Sequence, residues 1–221
     1  EDVIINLSKD APVPKPNVSG KWKQVIHNNE VVWLATWNDN ISGKNKYVFT
    51  SMESIFKSKS DMDKFDLARK LKRKAQSIRM TYYEDMKKTD MVPRQHAVAL
   101  YLIDNLALRV GNEKGEDEAD TVGVCSLRVE HINFMDDYKI GLDFLGKDSV
   151  RYQNTVKIDP EVYNVLLGFT KGKSKSDDLF DLINPQMLNQ YFGSMMEGLT
   201  AKVFRTYNAS KLFQQELNEI N

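Results

Sequence analysis

The sequence predicts an α+β fold that is mostly helical, with a small antiparallel β unit first and a β-hairpin inserted among the helices. Three patterns lead to this prediction. Alternating apolar residues mark the first 50 residues, apolar residues at three- and four-residue steps recur from near residue 60, and alternation returns over 139–158. Strand-like and helix-like stretches that occupy separate parts of a chain are typical of α+β proteins.

The composition narrows the class of protein. The chain has 221 residues, 41% of them hydrophobic and 28% charged, which is typical of a soluble globular protein. Its single cysteine, Cys125, excludes an internal disulfide and a cysteine-rich zinc site. Neither a membrane span nor a signal peptide is predicted. Basic and acidic residues balance at 31 each, so nucleic-acid binding would require a segregated basic patch.

The β unit is predicted from the first 50 residues. Residues 1–20 contain three prolines and indicate an extended lead-in. Segments 21–27 and 31–37 alternate around Asn28-Asn29, which predicts a hairpin, and 46–50 is predicted as a third strand. Its tryptophans are interpreted as packing residues.

A long helix is predicted from near Ser60, where Ser60 and Asp63 have capping-box spacing. The other faces of this helix are cationic, which is typical of a solvated surface but would also suit contact with phosphates. One apolar stripe comprises Phe65, Ala68, Leu71, Ala75, Ile78 and Tyr82. The cationic residues are Lys64, Arg69, Lys70, Lys72, Arg73, Lys74 and Arg79.

A second helix is apolar on nearly every face over 97–108, as expected for a helix surrounded by core. Pro93 is predicted as its first residue and Gly111 as its C-cap. Arg109 would then lie in the last turn, either as a cation on the helix dipole or as an anion-binding group. The acidic loop 112–120 that follows is interpreted as a solvated connector.

A β-hairpin is predicted from two alternating segments, 139–145 and 150–158, joined by a tight turn over 146–149. Lys147 would project from its tip. Such a lysine is either simply exposed or, because a two-stranded hairpin is slim, able to enter a DNA groove.

Three further helices complete the chain. One is predicted over 161–169, another starts at Asn184-Pro185, and a last one follows a break at Gly198. In this last helix Lys202 and Arg205 are three residues apart and are therefore neighbours on one face.

Three separated cations, Arg109, Lys147 and Arg205, suit chemistry on a phosphodiester. Forked guanidinium groups can bind the non-bridging oxygens while a lysine protonates the leaving alkoxide. The sequence contains no Walker A loop, no paired-carboxylate metal motif and no nucleophile elbow. We therefore expect phosphoryl transfer without a metal or other cofactor.

At these residues the sequence strongly resembles the core of the eukaryotic type IB DNA topoisomerases. The resemblance runs from the first predicted strand to about residue 217, and its longest blocks occur in the family's order. The matching blocks are 21–23 (KWK), 106–113 (LALRVGNE), 119–133 (ADTVGVCSLRVEHIN), 143–152 (DFLGKDSVRY) and 198–210 (GLTAKVFRTYNAS).

The resemblance implies a nuclear, ATP-independent enzyme that relaxes supercoiled double-stranded DNA by cleaving and religating one strand through a 3′-phosphotyrosine. It implies that Arg109 and Arg205 stabilise the pentavalent transition state and that Lys147 is the general acid toward the 5′-oxygen. The DNA-contacting residues that it implies are Lys147, Asp148, Lys202 and Asn208.

The chain departs from the family at both sides of the matching region, and the family's upstream clamp segment has no match here. The family's histidine downstream of the second arginine and its tyrosine in an S-K-x-N-Y context have no match here. Tyr207 is interpreted as a packing residue. We therefore expect a piece of the enzyme: 1–52 as the end of the clamp subdomain and 53–221 as a catalytic subdomain completed by a C-terminal segment or a separate subunit.

Two alternatives remain open at this point. A non-catalytic DNA-binding remnant of the same fold is one, although binding alone would not demand all three cations. A tyrosine recombinase is the other, disfavoured because Lys202 stands where the recombinase motif H-x-x-R has histidine.

Overall fold

The structure is a computed structural model that describes residues 2–51, 55–111 and 120–220. The chain divides into two compact units, Glu1–Asp63 and Lys64–Asn221. The predicted α+β class is confirmed, since strands dominate the first unit and helices dominate the second. Among the described residues, no helix combines the length and apolarity needed to cross a membrane.

The first unit contains a four-stranded sheet with the strand order β2-β1-β3-β4. Strand β1 pairs in parallel with β2, whereas the β1–β3 and β3–β4 pairs are antiparallel. The third predicted strand, 46–50, is confirmed as β4. The strands are β1 (Ile4–Asn6), β2 (Gln24–Ile26), β3 (Trp33–Asn38) and β4 (Asn45–Phe49).

The predicted hairpin between 21–27 and 31–37 is wrong, because β1 lies between β2 and β3. Residues 1–20 were predicted as an extended lead-in, but they contain the strand β1. The Asn6 side chain explains the insertion: its amide donates to the carbonyls of Asn28 (2.8 Å) and Trp33 (3.2 Å), and its oxygen accepts from the Asn28 N–H. Strand β1 thus satisfies the polar groups that a tight turn would have satisfied itself.

The helices and a second sheet make up the rest of the chain. This sheet is antiparallel in the order β5-β6-β7, so the predicted hairpin is confirmed as β6–β7 and has gained a third strand. The elements are α1 (Ile55–Met86), α2 (Met91–Leu106), β5 (Ile132–Met135), β6 (Lys139–Leu145), β7 (Arg151–Lys157), α3 (Pro160–Phe169), α4 (Pro185–Met195) and α5 (Ala201–Ile220).

Helix α2 forms the centre of the second unit. Every residue over 97–103 is buried, and α2 packs against α3 and α5. The apolar stripe predicted on α1 also faces the core, although its first member, Phe65, is 44% exposed. Ser60 lies inside α1 rather than at its start. The buried members of the stripe are Ala68, Leu71, Ala75, Ile78 and Tyr82.

The ends of α2 differ from the prediction. Asp90 is the N-cap, and its side chain accepts from the Val92 N–H, so Pro93 is the third residue of the helix. The helix stops at the left-handed residue Ala107, whose φ is 53°, and not at Gly111. Leu108 is buried although it is not helical, which is why the apolar pattern extends past the helix end.

His96 on α2 is a partly buried polar residue at this core. Its ring stacks on Tyr191 at 5.0 Å with an interplanar angle of 12°. Its Nε2 atom is buried and has no hydrogen-bond partner among the described residues. Burial lowers the pKa of His96, because the imidazolium form would lose its hydration.

We predict that the protein loses stability as the pH falls from 7.5 to 5.5, and that His96→Phe reduces this loss. A histidine whose pKa is lowered by folding binds fewer protons in the folded state, so stability decreases as the pH falls through its unfolded value of about 6.5. The pKa of His131 is lowered by burial and then by the charge of Arg128, so His131 should contribute to the loss that remains in the variant. Urea unfolding at both pH values measures the effect. An unchanged pH dependence in the variant would contradict the prediction.

Candidate active site

Arg109 lies in an extended segment just beyond α2, not in the last helical turn as predicted, and its side chain is exposed. The Arg109 carbonyl accepts a hydrogen bond from the Val124 N–H (2.8 Å), and the Val110 carbonyl accepts from the Cys125 N–H (2.7 Å). Burial raises the pKa of the Cys125 thiol to about 12, which keeps it neutral. This segment is therefore held to the core by its backbone.

Two glycines allow this backbone pairing. Gly111 has a φ of 81°, in the left-handed region, and it passes directly over Gly123. A Cβ atom on Gly123 would lie 2.2 Å from the Gly111 nitrogen and 2.7 Å from the Val110 carbonyl carbon. Both neighbours are backbone atoms, so the contact leaves no room for any side chain at position 123.

Lys147 lies at the tip of the β6–β7 hairpin, as predicted, and is exposed. The tip is closed by a hydrogen bond from the Gly146 N–H to the Val150 carbonyl (2.8 Å). Asp148 and Ser149 both have positive φ values, 62° and 56°. Such a turn presents successive side chains outward, which leaves Lys147 free to extend from the sheet.

The segment 122–124 connects the hairpin to Arg109. At one end the Val122 N–H donates to the Leu145 carbonyl (2.6 Å), two residues before Lys147. At the other end the Val124 N–H donates to the Arg109 carbonyl (2.8 Å). Two hydrogen bonds and one short segment therefore fix the hairpin next to the segment that carries Arg109.

Arg205 lies in the second turn of α5 and is partly buried. Its pKa is lowered, first by burial and then by the positive charge of Arg109. The second cause places the two guanidinium groups within electrostatic range of each other. The structure thus brings together two arginines that are far apart in sequence.

The arginines of the chain differ in their ion pairing. Four of the eight arginines each form an ion pair with an aspartate, whereas Arg73 and Arg94 form none among the described residues. In the part of the chain that the structure describes, Arg109, Lys147 and Arg205 form none. A pair of arginines without a described counter-ion favours an anionic ligand. The ion-paired arginines are Arg69, Arg79, Arg128 and Arg151.

The other predicted site residues have different surroundings. Asp148 and Lys202 are exposed, Asp148 on the hairpin tip and Lys202 one turn before Arg205. Asn208 is partly buried, and its amide donates to the Asp104 carbonyl on α2 (2.5 Å). Tyr207 packs against the core, as predicted.

Sequence reasoning missed the role of Arg79. It was assigned to the cationic outer face of α1, but its guanidinium binds the buried carboxylate of Asp104. The available signal was the single acidic residue inside the apolar stretch 97–108, since a buried carboxylate requires a partner. The predicted acidic connector 112–120 lies outside the described residues except for Asp120, which pairs with Arg128 (2.7 Å).

Comparison with known proteins assigns this chain to a family. Residues 53–221 match the model of the catalytic core of eukaryotic DNA topoisomerase I. Residues 1–50 match the model of the DNA binding fragment of eukaryotic DNA topoisomerase I. The chain belongs to the eukaryotic DNA topoisomerase I family.

Individual relatives support this assignment over the whole chain. The chain is 52% identical to human DNA topoisomerase 1 over 226 residues, which cover 100% of this chain and 30% of the human protein. It is 50% identical to the Caenorhabditis elegans DNA topoisomerase 1, covering 98% of this chain and 28% of that protein. The Drosophila melanogaster DNA topoisomerase 1 is 49% identical, with 98% and 23% covered. The chain therefore spans less than a third of these relatives.

We predict that Gly123→Ala destabilises the protein by about 1 to 3 kcal/mol and displaces the segment that carries Arg109, because the new methyl group would overlap backbone atoms. Urea unfolding measures the free energy of unfolding, and amide chemical shifts over 109–111 and 122–124 report the displacement.

Gly168→Ala is the matched control for Gly123→Ala. Gly168 lies in α3, and a Cβ atom there would meet nothing within 4 Å. Alanine favours a helix over glycine by up to about 1 kcal/mol, so this variant should be neutral or more stable. Equal effects of the two substitutions would show that the Gly111–Gly123 contact has no special role.

Proposed function

We propose that this chain is part of a type IB DNA topoisomerase. Such an enzyme relaxes supercoiled DNA without ATP, cleaving and rejoining one strand through a 3′-phosphotyrosine. The observation that supports this proposal most strongly is the proximity of Arg109 and Arg205, which have no counter-ion among the described residues. Next to them, a hairpin hydrogen-bonded to the Arg109 segment carries the exposed Lys147.

The two arginines would stabilise the transition state. As the phosphodiester becomes pentavalent, negative charge increases on its non-bridging oxygens, and forked N–H donors can bind these oxygens in a bidentate manner. Partial burial of Arg205 strengthens this interaction, because fewer water molecules screen it. Arg109 is more exposed and lies on an irregular segment, where DNA can approach from solvent.

Lys147 would act as the general acid. Cleavage expels the 5′-oxygen of the broken strand as an alkoxide, a poor leaving group unless it is protonated as the bond breaks. A lysine at the tip of a slim hairpin can enter the minor groove and reach this atom. Asp148 and Lys202 are proposed as further DNA contacts, whereas the side-chain amide of Asn208, for which the resemblance also implies DNA contact, donates to the Asp104 carbonyl.

The remaining groups are proposed to come from another segment. The nucleophilic tyrosine and the histidine of the family would lie on a C-terminal segment or separate subunit, and this chain with that segment is called the complete enzyme below. We further propose that residues 1–52 end the DNA clamp, that 53–221 form the catalytic subdomain, and that the enzyme acts in the nucleus.

We predict that this chain alone does not relax supercoiled plasmid, whereas mixing it with the segment carrying the tyrosine restores relaxation in EDTA without ATP. Arg205→Ala in this chain should abolish the restored activity, because a transition-state contact is lost. Gel electrophoresis of plasmid topoisomers measures the result. If a mixture that associates on DNA remains inactive, the chain is better described as a DNA-binding remnant.

We predict that Lys147→Ala in the complete enzyme slows single-turnover cleavage on the order of 100-fold or more while DNA affinity changes little. Replacing the 5′-bridging oxygen of the scissile phosphate by sulfur should restore the rate, because a thiolate leaves without a proton. Lys139→Ala, at the opposite end of β6, is the control. A slow rate that sulfur does not restore would contradict the role of general acid.

A further inference from the structure

Asp104 is a buried carboxylate near the end of α2, the helix that precedes Arg109. The residue is 3% exposed and directly follows the buried apolar residues 97–103 of the helix. A carboxylate in such a place requires a positive partner and hydrogen-bond donors.

The partners of the Asp104 side chain come from α1. Arg79 binds it with both arms of the guanidinium, from Nε to Oδ2 at 2.8 Å and from the terminal nitrogen to Oδ1 at 3.1 Å. The Tyr82 hydroxyl donates to Oδ2 at 3.2 Å. The hydrogen bond to Asp104 raises the pKa of Arg79, and burial raises the pKa of Tyr82, so both remain protonated donors.

The backbone of the same residue is bound from the opposite direction by α5. The Asn208 amide donates to the Asp104 carbonyl at 2.5 Å. Asn208 follows Arg205 by three residues and therefore lies one turn further along the same helix. Asp104 precedes Arg109 by five residues. Helices α1, α2 and α5 thus meet at Asp104, which is close in sequence to Arg109 and is bonded to the turn that follows Arg205.

The junction of α1, α2 and α5 at Asp104 lies close in sequence to two arginines, Arg109 and Arg205, whose positive charges repel each other. Burial lowers the pKa of Arg205 and the positive charge of Arg109 lowers it further, so the charged Arg205 guanidinium is less favourable here than in water. The Asp104 carboxylate is occupied by Arg79 and does not neutralise them. Asp104 therefore affects the two arginines through the positions of the helices that it joins, α1, α2 and α5.

We propose that Asn208 and Asp104, with Arg79, are positioning residues that fix the distance between Arg109 and Arg205. A buried ion pair contributes little net stability compared with apolar side chains, but it specifies one relative arrangement of the helices that it joins. The consequence for catalysis rests on the proposed function, since misplacing a transition-state contact by about 1 Å can cost on the order of 100-fold in rate.

The chain alone provides a test that needs no cleavage. We expect Arg109→Ala to shift the side-chain Nε resonance of Arg205, because the two charges lie close together. In an Asn208→Leu background, where the size is kept and the amide donor is lost, this shift should be much smaller. An undiminished shift would overturn the proposal whether or not the chain belongs to an active enzyme.

The complete enzyme provides a kinetic test. We expect Asn208→Leu to slow single-turnover cleavage at saturating DNA on the order of 10- to 100-fold, with unchanged amplitude and DNA affinity. A loss of amplitude at an unchanged rate would mean that Asn208 only supports folding. Weaker DNA affinity at an unchanged rate would mean that it is a DNA contact. Either result would overturn the proposal.

Two controls show that the effect acts through the arginine. Thr206→Val removes a hydrogen bond within α5, from the Thr206 hydroxyl to the Lys202 carbonyl (3.1 Å), and should leave the rate nearly unchanged. In an Arg205→Lys background, Asn208→Leu should add little further loss, because the group that it positions is already altered. Full additivity of the two effects would overturn the proposal. If the unmodified enzyme does not cleave DNA, the proposed function fails, while the resonance test above still decides the inference.

Discussion

The repulsion between Arg109 and Arg205 is the constraint on which the rest of the catalytic unit depends. Burial and then the positive charge of Arg109 lower the pKa of Arg205, so its charged form is less favourable in the folded protein than in water. The surrounding fold must therefore hold both arginines in place before any ligand arrives. A site prepared in this way needs little reorganisation when charge develops on a phosphate.

Three sets of contacts hold the segments that carry these cations in place against that repulsion. The contact between Gly111 and Gly123 brings the Arg109 segment against the core through backbone atoms alone. Hydrogen bonds from the segment 122–124 join the Arg109 segment to the hairpin. The buried Asp104 joins α2 to α1 through its side chain and to α5 through its carbonyl. Each of these contacts lies within a few residues of a cation of the candidate site, and none of them neutralises that cation.

Local patterns in the sequence predicted most of the fold correctly. The stripe on α1, the β6–β7 hairpin and the start of α4 at Asn184-Pro185 depend on neighbouring residues, which a sequence displays directly. The errors arose from long-range partners. Strand β1 has only three residues and is defined by the strands on either side, and Ala107 adopts a left-handed conformation that alanine rarely takes.

The same contrast between local patterns and long-range partners applies to the candidate site. Residue types and matching blocks indicated Arg109, Lys147 and Arg205, but not that two of them would lie close together without a described counter-ion. That arrangement depends on the packing of α2 against α5, and the pairing of Arg79 with Asp104 across 25 residues joins α1 to α2. The sequence therefore indicated the residue types of the candidate site, but not the contacts that hold these residues in position.

The most direct test of this account is a crystal structure of the chain bound to a short DNA duplex. The account predicts one backbone phosphate between the guanidinium groups of Arg109 and Arg205, with Lys147 in the adjacent minor groove. A duplex bound instead along the cationic face of α1, with no phosphate near the two arginines, would contradict it.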